Sequence, residues 1–428
     1  MRILFLAHRT PYPPNKGEKI RAFNLLSHLA KSHEVTLIYW VDAVGDLAHT
    51  PFLRSLCRGP VIPVQLNRTL ALAGAARSLV QGGSLTQGFY GGKGYQKAVD
   101  DALRRGRFDA VLAFSSSVAS YAEAIDCDIK IVDFVDVDSD KWGQLAKVSA
   151  FPLSFLYKLE QKRLAKFETQ ISTWSTVNMF ISPAEAELYR QQGGQGEIAV
   201  LPMCTELEVR RLPLDQVPYQ GAAPGTVEPS NEARLIFVGT LNYYPNIDAV
   251  IYFTEQIFPL IRQKFPRASF EIVGRNPPKT VTVLGKIDGV RVLGEVPDVR
   301  SYLVRADVSV APLRIARGVQ SKVLEAMGMG VPVVATPSAI QGIDVANGQE
   351  LLIGQTAEEF AACVIRLLND AELRKTITRK AWNRMKQLYN PEVIGAHLER
   401  ILSAAQKGKP QEANSLIASD HEVSAQGR

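Results

Sequence analysis

The feature that most restricts the fold is a rhythm in the sequence. Short apolar runs rich in Val, Ile, Leu and Phe are each followed by a helix-length amphipathic stretch, and the pattern repeats along most of the chain. The runs do not alternate polar with apolar residues, so both faces of each strand are buried, as in a parallel sheet covered by helices on either side. Strands alternating with helices in this way form βαβ units. The first series of strands is expected at 3–7, 35–39, 61–64, 110–114, 131–134, 177–181 and 198–201. The second is expected at 235–238, 270–273, 290–293, 307–311, 331–335 and 351–353. Between the two series, residues 211–231 are rich in Pro, Gly, Gln and Ala without periodicity, which is the composition of a linker. The expected architecture is α/β. A domain over 1–210 is followed by the linker and by a second doubly wound domain over 232–385. A helix over 386–404 then packs back on the first domain, and 405–428 is a polar tail too poor in apolar residues to order. Open parallel sheets bind ligands beyond the carboxyl ends of their strands, and two such domains facing a cleft can hold two substrates.

Composition agrees. A chain of 428 residues is too long for one ordinary core. With 46% hydrophobic and 21% charged residues it is globular rather than disordered. The net charge of +6 suits anionic substrates or a membrane surface. No Lys/Arg run is interleaved with aromatics, so nucleic acid is not an expected partner. Cys57, Cys127, Cys204 and Cys363 do not fall at metal-ligand or redox spacing, and a reducing cytoplasm is the expected location. The apolar start Met1 to Ala7 is too short for a signal peptide, and no run of about 20 apolar residues predicts a membrane span.

The most informative segment is Arg317-Gly318-Val319-Gln320-Ser321-Lys322-Val323-Leu324-Glu325-Ala326-Met327-Gly328-Met329-Gly330-Val331-Pro332. It follows an expected strand, with Ser321 as a helix N-cap and the helix ending by Gly328 or Gly330. A helix N-terminus offers unpaired N–H groups and partial positive charge, which suits a diphosphate. Gly318 allows close backbone approach, and Lys322 adds a full charge in the first turn. Glu325 lies three residues on, so it shares a helix face with Lys322 and can accept two ribose hydroxyls. A solvated lysine and a carboxylate favoured by the helix dipole are the plainer alternatives for the pair.

The run from Lys322 to Met327 and on to Gly330-Val331-Pro332-Val333-Val334 resembles the signature helix of glycosyltransferase family 4. Phe237-Val238-Gly239-Thr240-Leu241 is similar to the first Gly loop of that family, and Ile272-Val273-Gly274-Arg275-Asn276-Pro277 to its nucleotide-base loop. Gly294-Glu295-Val296-Pro297-Asp298, Tyr302 and Ala306-Asp307 fit the strand that follows. The resemblance implies a GT-B fold and a retaining, metal-free transfer from a nucleotide-sugar donor, with no other cofactor. It places the donor in the C-terminal domain, near Gly239, Thr240, Gly274, Arg275, Arg317, Gly318, Val319, Gln320, Ser321 and Glu325, with Lys322 catalytic. The acceptor, a glycan or a lipid-linked glycan, belongs to the N-terminal domain. Pro13-Pro14-Asn15-Lys16-Gly17-Glu18 and Asp136-Val137-Asp138-Ser139 resemble the subgroup tied to bacterial exopolysaccharide and exosortase clusters. One departure stands out. Most members carry Glu-x7-Glu, and here Arg317 occupies the first position, so a donor sugar cannot be inferred.

Four further features are singled out. Lys16, Gly17 and Arg21 follow the first strand and read either as an acceptor or phosphate loop or as a Pro-Gly turn. His8 ends that strand and reads as structural or substrate-touching. Asp136, Asp138 and Asp140 follow the strand at 131–134, where many family members place a His. Contact with substrate hydroxyls or proton handling is expected of Asp136 and Asp138, against metal binding or loop capping. Residues 151–167 form an amphipathic, basic, aromatic stretch. It is read either as peripheral contact with the inner membrane surface or as an ordinary helix with Phe155 and Leu159 in the core. Two rival functions remain at this point, a GT-B nucleotide-sugar epimerase and a non-catalytic nucleotide-sugar-binding scaffold.

Overall fold

The structure, a computed structural model, describes residues 1–14, 17–204, 233–316 and 318–408. The expected linker 211–231 and the tail from 409 lie outside the described residues. The chain divides into two compact units, Met1–Cys204 with Pro391–Arg428, and Thr205–Asn390.

The first unit is built on a seven-stranded sheet of β1 (Arg2–Ala7), β2 (Glu34–Val41), β3 (Val61–Gln65), β4 (Ala110–Phe114), β5 (Ile129–Val135), β6 (Val177–Phe180) and β7 (Ile198–Val200). The order is β3-β2-β1-β4-β5-β6-β7, and every pairing is parallel. Strand order reverses between β1 and β4, which is the topological switch point. Successive side chains of β1 feed two separate cores, and so the run shows no alternation. Ile3, Phe5 and Ala7 pack with Leu25, Leu26 and Leu29 of the helix Gly17–Ser32, while Leu4 and Leu6 pack with Tyr95 and Val99 of the helix Lys93–Leu103.

The helix expected over 386–404 is in fact parts of two, Ala371–Leu388 and Pro391–Gln406. Pro391 sets the break, because it disfavours helical backbone at Asn390 and is itself well suited to a first helical position. The second helix completes the first core with Ile394, Leu398, Ile401, Leu402 and Ala405. Ala405 and Gln406 therefore belong to this helix and not to a tail. The approach to the helix Gly17–Ser32 is close: a Cβ on Gly395 would lie 1.9 Å from His28 Nδ1.

The second unit has a six-stranded sheet of β8 (Arg234–Val238), β9 (Ser269–Val273), β10 (Val290–Gly294), β11 (Val308–Ala311), β12 (Val333–Ala335) and β13 (Leu352–Ile353). Its order is β10-β9-β8-β11-β12-β13, again with parallel pairing, and the switch point lies between β8 and β11. β12 starts two residues later than expected because the preceding helix uses Val331. Gly330, at φ 70°, donates to the Met327 carbonyl (3.1 Å), and Val331 donates to that of Ala326 (2.9 Å). This pair of bonds closes the helix end in a Schellman motif.

The amphipathic stretch forms the helix Leu153–Ile171. Its inner face is Glu160, Leu164, Phe167, Glu168 and Ile171. Phe155 is not in the core; it is 63% exposed.

Candidate active site

In the second unit the loops after β8, β9 and β11 build one site from the backbone outward. The Gly239 N–H donates to Val273 (3.0 Å), that of Gly274 to Gly294 (2.8 Å), and that of Leu241 to Arg275 (2.9 Å). A Cβ on Gly274 would lie 1.7 Å from the Gly239 carbonyl oxygen, so glycine is required for these loops to touch. Thr240 is fixed by its carbonyl, which accepts from Asn246 Nδ2 at 2.9 Å.

After β11, Gly318 adopts φ 64°, a left-handed backbone that glycine enters without penalty. Gln320 is the N-cap of the helix Ser321–Gly328, which corrects the expectation that Ser321 would cap it. The Gln320 side chain makes no capping hydrogen bond, and its Nε2 reaches back to the Gly318 carbonyl at 3.2 Å. Gly318, Val319, Gln320 and Ser321 thus lead into an N-terminus with no side-chain cap, which is the arrangement suited to an anion.

Lys322 lies in the first turn. Its ammonium donates to Asn246 Oδ1 and stands 4.7 Å from the centre of the Phe237 ring. Burial brings its pKa down to about 7, against the charge of Glu325. Burial likewise raises Glu325 to about 7, against the charges of Lys322 and Arg300. A cation and a carboxylate poised on one short helix are therefore both near the point of changing charge at neutral pH, and a bound diphosphate would hold the ammonium protonated. The contacts of Asn246 and Phe237 with Lys322 escape a sequence reading because these residues belong to β8 and the helix after it. The only hint is that they flank the first Gly loop.

In the first unit Gly17 opens the helix Gly17–Ser32, while Lys16, like Arg317, lies outside the described residues. Arg21 has a structural role and is not open to a ligand. It is 2% exposed and forks onto Asp133 at 2.8 and 3.0 Å, and it also donates to the carbonyls of Leu201 (2.7 Å) and Pro202 (3.1 Å). His8 is buried, with Nδ1 3.3 Å from the Phe114 carbonyl and Nε2 3.5 Å from Glu18. Burial works to raise the Glu18 carboxyl, but hydrogen bonds and charge from His8 and Arg9 outweigh it and hold the group well below the usual carboxylate range.

After β5 the backbone is strained. Val135 stands at φ 65°, a rare conformation for a β-branched residue. It turns the chain so that Asp136 and Asp138 converge on Lys141, at 3.0 and 2.8 Å. Asp136 Oδ1 is buried without a hydrogen-bond partner. Two further carboxyls back this group. Glu185 accepts from the Val137 N–H (2.7 Å) and is raised to about 7, chiefly by burial and then by Asp136. Glu168 accepts from the Ser139 N–H (3.2 Å) and is raised to about 8, by burial and then by Asp138. A lysine-centred cluster that stores protons can exchange them with a substrate hydroxyl. Among the described residues no group of three or more His, Cys, Asp or Glu side chains could hold a metal ion. Asp140 accepts from Gln144 Nε2 at 3.0 Å, one turn along the same helix.

Residues 232–370 match the family described as Glycosyl transferases group 1. No curated protein matches the chain. Among solved structures, sucrose-phosphate synthase from Thermosynechococcus elongatus is similar over 95% of this chain and 100% of its own, with a TM-score of 0.69 and 17% identity. HepE from Anabaena, in complex with UDP and glucose, is similar over 94% and 100%, with a TM-score of 0.64 and 14% identity. WaaG, a glycosyltransferase involved in lipopolysaccharide biosynthesis, is similar over 92% and 98%, with a TM-score of 0.59 and 16% identity. At these identities the likeness is one of fold, and it is the fold expected from the sequence, with two Rossmann-like domains of GT-B type. Residues 232–370 are therefore a Glycosyl transferases group 1 domain, carried by a chain with the GT-B fold.

Proposed function

We propose that the protein is a glycosyltransferase that moves a hexosyl-type sugar, with retention of configuration, from a nucleotide-diphosphate sugar to a lipid-linked glycan acceptor in exopolysaccharide assembly. One observation carries the reading: a helix N-terminus with no side-chain cap holds Lys322 in its first turn and Glu325 one turn on, beside two interlocked Gly loops. In the reaction the bond from the anomeric carbon to the phosphate oxygen breaks, and a bond to the acceptor oxygen forms. The acceptor proton passes to the leaving phosphate. Lys322 and the amides from Gly318 to Ser321 stabilise charge growing on that phosphate. Glu325 holds the ribose, while Arg275 and Thr240 border the donor. HepE was solved with UDP-glucose, which supports a nucleotide sugar as the ligand of this site.

Asp136 and Asp138 are assigned to the acceptor side, as contacts or proton carriers. Lys158, Lys162 and Lys166 lie exposed on one helix behind the exposed Phe151 and Phe155, which supports peripheral contact with the cytoplasmic face of the membrane. No helix among the described residues is long and apolar enough to cross one. The subgroup tied to exosortase and exopolysaccharide clusters fits the motifs at residues 13–18 and 136–139.

Turnover assays with nucleotide sugars and a lipid-linked acceptor test the reading. A transferase releases nucleotide only when acceptor is present, an epimerase alters the sugar without acceptor, and a scaffold does neither. Lys322→Ala should lower kcat on the order of 10²–10³ with little change in folding. A kcat within a few-fold of wild type would remove Lys322 from the diphosphate site.

A further inference from the structure

Asn246 is a neutral side chain that joins the first Gly loop to Lys322. It lies in the first turn of the helix Tyr244–Tyr252, is 5% exposed, and is held by its own N–H, which donates to the Tyr243 carbonyl at 2.9 Å. Its carboxamide bridges two parts of the donor site. Nδ2 donates to the Thr240 carbonyl at 2.9 Å, and Oδ1 accepts from the Lys322 ammonium. The neighbours fix which end is which. A main-chain carbonyl can only accept, so the nitrogen must face Thr240 and the oxygen Lys322. The fit is close: a Cβ on Gly239 would lie 2.9 Å from Asn246 Nδ2 and 3.0 Å from its Cγ, so glycine in this loop makes room for the carboxamide.

Lys322 needs a partner of this kind. Burial disfavours its charged form, and the charge that offsets burial comes from Glu325 on the same helix. Glu325 is itself buried and raised, so its support fades once it takes up a proton. The other charged groups around that helix are engaged elsewhere. Arg300, on the helix Arg300–Leu303, acts on Glu325. Asp248, two residues beyond Asn246, accepts from Arg314 at 2.5 and 3.0 Å. The helix Ala371–Leu388 packs against the helix of Lys322. On it Arg374 bonds the Leu367 and Leu368 carbonyls, Lys380 bonds Gln349, and Arg384 pairs with Asp344 and Glu350. A neutral acceptor favours the ammonium over the amine without cancelling its charge. It also takes one of three N–H donors and leaves two for a diphosphate. A carboxylate in its place would hold the ammonium more strongly but would neutralise the charge that the donor needs.

We propose that Asn246 is a positioning residue for the transfer: locked by the Thr240 carbonyl, its carboxamide holds Lys322 in place as an ammonium for the donor diphosphate. The proposal rests on the transferase reading and deepens it, by naming the group that keeps the phosphate-binding cation charged.

The test is calorimetric binding of nucleoside diphosphates to the full chain. UDP, ADP, GDP, CDP and dTDP are the probes, and the one that binds wild type most tightly is used with the variants. Asn246→Leu keeps the side-chain volume and removes both polar ends. Losing a hydrogen bond to a charged group should lower the pH at which Lys322 gives up its proton by about one unit. The loss of affinity relative to wild type should therefore grow with pH, from less than about twofold at pH about 5.5 to about tenfold at about 8.5. Ionisation of the probe is common to both proteins and cancels in the ratio. Asn246→Asp should do the opposite. It should weaken binding near neutrality and move the alkaline fall in affinity to higher pH, and loss of packing alone does not produce opposite shifts. Beside Lys322→Ala, Asn246→Leu should add less than about twofold, because it acts through the lysine. Asp248→Asn, which loosens Arg314 on the same helix, should shift neither limb. The proposal is overturned if the Asn246→Leu penalty is equal at both pH values, if it persists beside Lys322→Ala, or if Asp248→Asn reproduces it. Melting temperatures show which variants fold. If Asn246→Leu does not, Asn246→Asp decides, and an alkaline fall at or below the wild-type pH overturns the proposal. If Lys322→Ala weakens binding while the Asn246 variants fail to shift in opposite directions, only the proposal falls. If no diphosphate binds wild type, or Lys322→Ala binds as well, the donor site itself is misplaced and the proposal falls with it.

Discussion

Raising the pH from about 7 to about 8.5 should weaken nucleotide-sugar binding about 15-fold, because the ammonium of Lys322 loses its proton across that range. With a pKa of about 7 in the empty site, Lys322 is half charged at neutrality. At pH about 8.5 only some 3% remains charged, so nearly every binding event must first take up a proton, at a cost of about 1.6 kcal/mol relative to neutrality. The sign follows from the ligand: the diphosphate is attracted to the ammonium and gains nothing from the amine. On the acid side Glu325, raised to about 7, becomes protonated and loses acceptor capacity toward the ribose, so affinity should also fall below neutrality. Titration calorimetry gives both readouts, using the nucleotide sugar that most raises the melting temperature in a screen. The dissociation constant should rise with pH, and the heat should vary with buffer ionisation enthalpy as proton uptake requires. Lys322→Arg, whose guanidinium stays charged, should flatten the alkaline limb. A wild-type dissociation constant unchanged from about 7 to about 8.5 would refute the assignment of Lys322 to the diphosphate.

Three other outcomes are expected. Glu168 and Glu185, raised to about 8 and about 7, keep protons that an unfolded chain releases above about 4.5, so stability falls as pH rises through this window. Glu168→Gln should therefore flatten the melting temperature between pH about 5 and about 8, as read by differential scanning fluorimetry. Leu398→Ala removes a fully buried side chain from the C-terminal helix and should cost about 2–5 kcal/mol in urea titrations. Turnover should survive EDTA, since Lys322 and the helix N-terminus supply the positive charge; loss in EDTA restored by magnesium or manganese would revive a metal role for Asp136 and Asp138.

Most of the thirteen strands were legible because they are runs buried on both faces, and burial of that kind leaves a local mark; the edge strands β3 and β10 are only partly buried. The helix Ser321–Gly328 was legible for a similar reason, since Gly318, Gly330 and Pro332 set its limits within a few residues. What sequence could not supply was pairing at long range. Asn246 reaches Lys322 from 76 residues away, and Arg21 meets Asp133 across 112. A basic side chain near a Gly loop looks the same in sequence whether it awaits a phosphate or, like Arg21, closes a buried ion pair. The helix Leu153–Ile171 misleads in the opposite way. Its lysines suggest a solvated strip, yet Glu160 is fully buried, where it accepts from the Leu85 and Thr86 N–H groups. A carboxylate inside an apolar face makes sense only once the helix terminus that it caps is known.

The return of the helix Pro391–Gln406 to the first unit has a consequence for how the protein is made. Chains emerge from the ribosome amino end first, at roughly 5–20 residues per second, and domains generally fold as they appear. Here the first sheet is complete in sequence by Val200, yet the helix that covers Leu25 and Leu26 is synthesised only after the whole of the second unit. For an interval on the order of 10–40 s the nascent first unit carries an uncovered apolar face. Early termination anywhere before residue 391 therefore leaves the first unit, and not only the second, without part of its core, and a chaperone that binds apolar surface would find its substrate at the amino-terminal end of the chain.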